Sequence, residues 1–230
     1  MEHEYFFLVE IFRALGLEHF AENNKQIIFS WFIMLLLIIG GLLLVRRIKL
    51  VPGKGQNLAE LIVGGLENFM VDITGPEGRS FFPYIATIFL YILFSNLVGL
   101  IPGFYSPTAD INTTLSMAIC TFILTHAIGI KYHGTKYIKH FLGPIPVLAP
   151  FMFIIELIGH FARVLSLSIR LFGNIFGKET VLGILFALAG LYLALAEFVL
   201  LLGVLVSLIQ ALVFMLLSII YFAGAMEEAH

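Results

Sequence analysis

Long apolar runs separated by short polar breaks set the layout of this chain. Ile27 to Val45 carries no charge over about 20 residues, enough for a helix to cross roughly 30 Å of hydrocarbon. Arg46, Arg47 and Lys49 stop it. Phe81 to Ile101 is a second uncharged stretch, with Pro83 near its start and Pro102-Gly103 at its end. A third, Ile111 to Ile130, follows the turn signal of Ser106 to Asp110, with Asp110 or Asn112 as its N-cap, and Lys131 closes it. The first of these spans is residues 27–45, and 81–101 with 111–130 form a transmembrane hairpin.

The segments between the spans read differently. In residues 51–78, Leu58, Leu61, Ile62, Gly65 and Phe69 recur at helical spacing among glycines and acidic residues, which predicts an amphipathic helix at the membrane interface. Residues 131–150 combine Lys131, His133, Lys136, Lys139 and His140 with Gly143, Pro144, Pro146 and Pro150, the pattern of an aqueous loop. All 8 prolines precede Phe151, and from there the chain is almost continuously apolar, with its best break at Ala189-Gly190. The two resulting runs, 151–189 and 190–225, are about 40 residues each, and an unbroken helix of that length measures about 60 Å, twice the hydrocarbon thickness. Each run is therefore either one strongly tilted helix or two short spans turning at Gly173, Gly177 or Gly203. Residues 226–230 are a short tail. The pattern predicts an all-α polytopic membrane protein with about five embedded helices and one interfacial helix.

Composition agrees with that class. Of 230 residues, 60% are hydrophobic and 12% charged, about half the charged share of a soluble domain. The excess apolar surface must face lipid. Cys120 has no partner cysteine, so neither a disulfide framework nor a cysteine-based metal site can form. The formal net charge of -2 leaves no basic footprint for nucleic acid. Glu2, His3 and Glu4 replace the positive start of a signal or transit peptide, so the first span is expected to be retained. Arg46, Arg47, Lys49, Lys54 and Arg79 form one basic loop, and Lys131, Lys136 and Lys139 another. The positive-inside rule puts both in the cytoplasm, residues 1–26 and the Pro102 to Asp110 turn outside, and the C-terminus inside; Arg13 and Lys25 count against it.

Ionisable and amide side chains interrupt the apolar background after Phe151: Glu156, His160, Arg163, Arg170, Asn174, Lys178, Glu179, Glu197 and Gln210. A charge at bilayer depth costs several kcal/mol or more, so each is a functional candidate that should face protein or water. At about 100° per residue, Glu156, His160, Arg163, Arg170, Asn174 and Lys178 fall within about 40° of one line, whereas Glu179 lies roughly 140° away. Two polar environments follow. Ser207, Gln210, Ser218 and Tyr221 share a weaker polar line on the last run, a pattern that interhelical hydrogen bonding also produces. Arg163 and Lys178 can snorkel toward an interface, while Arg170 lies too far from either end of its run to do so. No phosphate loop, metal-spaced cluster or Ser/His/Asp grouping is present, which excludes nucleotide hydrolysis and covalent catalysis and leaves ion movement. Glu156, His160, Glu179 and Glu197 can exchange protons; a guanidinium cannot, so Arg170 acts as a carboxylate partner or a barrier to cations.

The run Ser166-Leu167-Ser168-Ile169-Arg170-Leu171-Phe172-Gly173-Asn174 resembles the signature of the subunit a family of F-type ATP synthases. Pro107-Thr108-Ala109-Asp110-Ile111-Asn112-Thr113-Thr114-Leu115 resembles that family's entry into its third crossing helix, and Gln210-Ala211-Leu212-Val213-Phe214 with Ile220-Tyr221 its final helix. The resemblance covers nearly the whole chain. It implies a proton-translocating stator in a bacterial inner membrane, with two long, steeply tilted helices against a rotating c-subunit ring, and so favours unbroken runs. Arg170 would be the coupling arginine. Asn174, Glu179 and Gln210 match the extracytoplasmic half-channel, with Asp110 near its mouth, and Glu156 with His160 matches the cytoplasmic one. The implied partners are the c-ring, b-type peripheral-stalk subunits, the rest of the complex, the bilayer and protons, without nucleic acid, metal or cofactor.

Two positions depart from the family pattern. Lys178 stands beside Glu179 in place of a small residue, and its ammonium favours an ionised carboxylate there. Gly203 stands where some members carry a histidine. Sodium coupling of the same subunit stays open, because the ring carboxylate belongs to another chain. A secondary carrier would show internal repeats and paired broken helices, and these segments contain no such repeat. A structural scaffold would tolerate loss of Arg170.

Overall fold

The computed structural model describes residues 7–14, 16, 18–46, 53–101, 103–134, 137, 149–187 and 193–227. Among them every regular element is helical. Two short helices, α1 (Phe7–Ala14) and α2 (Glu18–Asn23), lead into α3 (Lys25–Val45); α4 (Lys54–Thr74) follows. A 3-10 turn, Pro76–Phe81, runs into α5 (Phe82–Val98), and a second, Pro107–Ala109, precedes α6 (Ile111–His133). The last two helices are α7 (Ala149–Ala187) and α8 (Leu193–Met226). Among the described residues, five helical segments, the one through α5 starting at Pro76, are long and apolar enough to cross a membrane. The chain is an all-α polytopic membrane protein.

Local chemistry explains where these helices start and stop. Pro83 sits in the first turn of α5, where a missing N–H leaves no hydrogen bond unmade. Asp110 is extended, and its carboxylate accepts the Asn112 amide at 2.7 Å, capping α6. Gly173 and Gly177 lie inside α7, and Gly203 inside α8, so none of them makes a turn. An isolated glycine costs only about 1 kcal/mol in a helix, whereas a turn in lipid would strand backbone polar groups at several kcal/mol each. At 39 residues α7 is a single unbroken helix, about 58 Å long. The Ala189-Gly190 break and most of the 131–150 loop lie outside the described residues.

The core is built where α8 packs on α5, and α6 on both α7 and α8. Ile85, Phe89 and Ile92 of α5 meet Phe214, Met215 and Phe222 of α8, while Leu167, Leu171 and Ile175 turn one stripe of α7 inward. In lipid, burial of apolar side chains no longer drives helix association, and interhelical hydrogen bonds worth about 0.6–2 kcal/mol each contribute instead. Among the described residues, Tyr84 to Thr121 at 2.8 Å joins α5 to α6, Thr114 to Ser168 at 3.1 Å joins α6 to α7, and Ser30 to Tyr91 at 2.7 Å joins α3 to α5. The remaining faces are apolar and exposed, including Leu35, Ile38 and Leu42 on α3 and Ile158, Phe161 and Ile169 on α7. In water each would forgo about 1.5–3 kcal/mol of burial. On α4 the stripe Leu58, Leu61, Ile62 and Phe69 also points away from the bundle, and the helix docks through Leu66 and Met70 at its edge. Glu67 anchors it by an ion pair to Arg79 at 2.7 Å.

Candidate functional site

On α7 the exposed Arg170 stands between two polar clusters. Arg170 points out of the bundle and donates a long 3.4 Å hydrogen bond to Ser166 one turn back. Among the described residues no carboxylate lies within ion-pairing distance of it. Its neighbours Leu167 and Leu171 are buried, which orients the helix and leaves Arg170 on the outer side.

The first cluster begins one turn further along α7. Asn174 Nδ2 donates to Gln210 Oε1 at 2.8 Å, joining α7 to α8, and Gln210 is buried. Lys178 donates from Nζ to the Asn96 carbonyl at 3.2 Å and makes a longer contact to Ser207 Oγ at 3.5 Å. Its path exists because position 203 has no side chain: a β-carbon there would lie 2.6 Å from Leu100 Cδ2 and 3.3 Å from Lys178 Cδ. Asn96, fully buried on α5, accepts from Thr108 Oγ1 at 2.6 Å, and Ser106 bonds both Thr108 and the Ser95 carbonyl. The Pro-Thr-Ala-Asp segment is thereby tied to Lys178 through Asn96. Asp110 at its end is partly exposed and serves as the α6 cap. The side chains of Glu179 and Glu197 lie outside the described residues.

The second cluster occupies the other half of α7, its nearest member Arg163 lying about 11 Å from Arg170 along the helix. Glu156 Oε1 is 3.4 Å from His160 Nε2 and 4.0 Å from Arg163. His160 is buried, while Arg163 lies 5.6 Å over the Tyr221 ring of α8. Beside them, His126 of α6 packs edge-to-face on His160 at 4.8 Å and meets the Tyr137 hydroxyl through Nδ1 at 2.7 Å. Glu156, His160, Arg163, Tyr221, Tyr137 and Thr125 line a cavity of about 280 Å³, with His126 just behind its wall. Burial pushes the Tyr137 phenol above its ordinary range; Arg163 opposes that shift and Glu156 reinforces it.

The six-residue stripe on α7 thus divides into two sites with Arg170 between them. Of the weaker line on α8, Gln210 turns to Asn174, Ser207 to Lys178 and Tyr221 to Arg163, while Ser218 only bonds the Phe214 carbonyl of its own helix. Asn96, His126 and Tyr137 join these sites from outside the two lines. His126 carries the signal that marks Glu156, an ionisable side chain in an apolar run, and Asn96 is an amide in an uncharged span. Tyr137 has no such mark in the sequence. Among the described residues no His, Cys, Asp and Glu side chains group as metal ligands. The carboxylate, imidazoles and phenol of the second cluster can pass protons, whereas the first presents amides, hydroxyls and one lysine.

Comparison with known proteins places this architecture. Residues 27–223 match the family described as ATP synthase A chain. The chain is 57% identical over 230 residues to ATP synthase subunit a of Desulfosudis oleivorans, with both chains covered in full. It is 50% identical over 240 residues to that of Syntrophobacter fumaroxidans, again full length, and 53% over 190 residues to that of Geotalea uraniireducens, covering 82% of this chain and 83% of the relative. These relatives are bacterial, and the apolar helices put the chain in a membrane. No nucleotide site is needed here, because the catalytic chemistry lies elsewhere in the complex. By family match and near-complete coverage, the chain belongs to the ATP synthase subunit a family, whose members have an ion-translocating stator role in the membrane sector.

Proposed function

We propose that this chain conducts protons through two offset half-channels and that Arg170 couples their flow to rotation of a ring of c subunits. One observation carries the reading: an exposed guanidinium stands between two polar clusters on α7, with no carboxylate partner among the described residues. Its counter-charge is then a carboxylate of the facing ring. A fixed positive charge stabilises the ionised form of each ring carboxylate that comes opposite it, which drives proton release to one side. The same charge repels a proton that would pass directly from one cluster to the other. Transport then requires the ring to turn.

Asn174, Glu179 and Gln210, with Asp110 near the mouth, line the extracytoplasmic half-channel; Glu156 and His160 line the cytoplasmic one. The N-terminus lies outside and the C-terminus in the cytoplasm of a bacterial inner membrane, and b-type stalk subunits hold the chain against rotation. Each proton crossing 100 mV supplies about 2.3 kcal/mol, so several must pass for every ATP made elsewhere in the complex.

The test is ATP-driven proton pumping in inverted vesicles carrying the complex with Arg170→Ala, beside a quantitative check of membrane-sector assembly. An assembled complex that does not pump supports the coupling role. Near-normal pumping sinks it and leaves a scaffold. Repeating the assay with and without sodium separates the ions: pumping that needs sodium overturns the proton assignment.

A further inference from the structure

His126 belongs to α6, outside the polar stripe of α7, yet it completes a line of proton-exchanging groups. From Glu156 the line runs 3.4 Å to His160 Nε2, across a 4.8 Å ring contact to His126, and 2.7 Å from His126 Nδ1 to the Tyr137 hydroxyl. A cavity of about 280 Å³, lined by Glu156, His160, Arg163, Tyr137 and Tyr221, opens beside this line and touches it at both sides of His126, with room for roughly nine waters at liquid density. Gly129 makes the last contact feasible. It lies one turn along α6 from His126, and a β-carbon there would overlap the Tyr137 ring, so the ring reaches the imidazole by lying directly on the α6 backbone.

We propose that His126 and Tyr137 extend the cytoplasmic half-channel, carrying protons between His160 and the cytoplasmic water. The proposal rests on the assignment of Glu156 and His160 to that half-channel. An imidazole takes a proton on one nitrogen while the other gives one up, so it moves charge across its ring without moving itself. When His126 gains a proton at Nε2, its Nδ1 proton passes to the Tyr137 oxygen and the phenol proton passes to water. One N–H or O–H bond breaks for each that forms, and return of a proton from Tyr137 to Nδ1, with loss at Nε2, runs the path in reverse. Arg163 adds a fixed positive charge beside the cavity, which keeps excess protons from accumulating there.

The experiment compares ATP-driven pumping of the intact complex in proteoliposomes for His126→Ala, His126→Gln, Tyr137→Phe and Glu156→Gln, each normalised to assembled complex. His126→Ala should slow pumping about a hundredfold, the lower end of what a positioned proton carrier contributes, and added imidazole should recover much of the loss. His126→Gln keeps a hydrogen bond to Tyr137 but cannot relay, so it should be equally slow; it also stands in if the alanine variant fails to assemble. Tyr137→Phe keeps the ring over Gly129 and should slow pumping less than His126→Ala does. Pumping within twofold of the parent for His126→Gln overturns the proposal, as does a loss in His126→Ala that imidazole leaves unchanged. Normal pumping by Glu156→Gln removes the half-channel assignment itself, whatever the His126 variants do.

Discussion

Lys178 crosses α8 at Gly203 and delivers its ammonium to the Asn96 carbonyl of α5, 3.2 Å away. Three helices thus meet on one lysine. The residue long enough to bridge and the residue small enough to be crossed are complementary, although they stand on different helices.

That complementarity makes Gly203 sensitive to side-chain size. Gly203→Ala must displace only the flexible end of Leu100 and push gently on Lys178, so it should cost about 1 kcal/mol; Gly203→Leu must evict the lysine stem and should cost about 2–3 kcal/mol. Detergent denaturation of the assembled membrane sector, followed by subunit a release, would rank the two. Equal stability of Gly203→Leu and the parent would mean that Lys178 does not need this path.

The Asn174–Gln210 bond ties α7 to α8 one turn from Arg170. A double-mutant cycle with Asn174→Leu and Gln210→Leu should return a coupling of about 0.6–2 kcal/mol in the same denaturation assay. Each single variant should also slow proton pumping, since both amides belong to the proposed extracytoplasmic half-channel. Zero coupling would show that the two side chains act independently.

Asp110 combines a cap observed in the structure with a proposed place at a channel mouth. Asp110→Ser preserves the cap and removes the charge; Asp110→Ala removes both and should destabilise α6 by about 1 kcal/mol. If charge at the mouth matters, Asp110→Ser assembles normally and pumps more slowly. Parent-like pumping by Asp110→Ser would leave Asp110 as a cap alone.

Tyr137 supplies a pH dependence. Its phenol is held above the ordinary value of 10.0 by burial, so the folded chain favours the protonated form. The associated stability is fully present below pH 10 and disappears as pH rises through the higher folded value. Thermal denaturation across the alkaline range should show a falling limb in the parent that is smaller in Tyr137→Phe. Identical limbs would mean that Tyr137 titrates as it does when unfolded.

Much of the site was legible because hydrophobic and polar residues are read on a helical period. Glu156 and His160, spaced by four on one stripe, do lie beside each other, and Arg170 does stand apart from both clusters. The stripe could not separate the residues that turn inward, such as His160, from those that turn outward, such as Arg170. That depends on which side of α7 the other helices cover. Nor could periodicity within one helix reveal His126 or Asn96, whose partners lie 11 residues or more away in sequence.

The sequence by itself determined that this is an all-helical membrane chain, where its long runs lie, and which polar groups interrupt them. Lipid makes those conclusions local: an apolar run must satisfy its own backbone, and each buried charge marks itself. Only the tertiary structure decided that the last two runs are unbroken helices, that Lys178 lies over Gly203, and that Tyr137 folds back onto Gly129 to reach His126. Those outcomes depend on close contact between distant residues, where a missing side chain on one helix is the space another side chain fills.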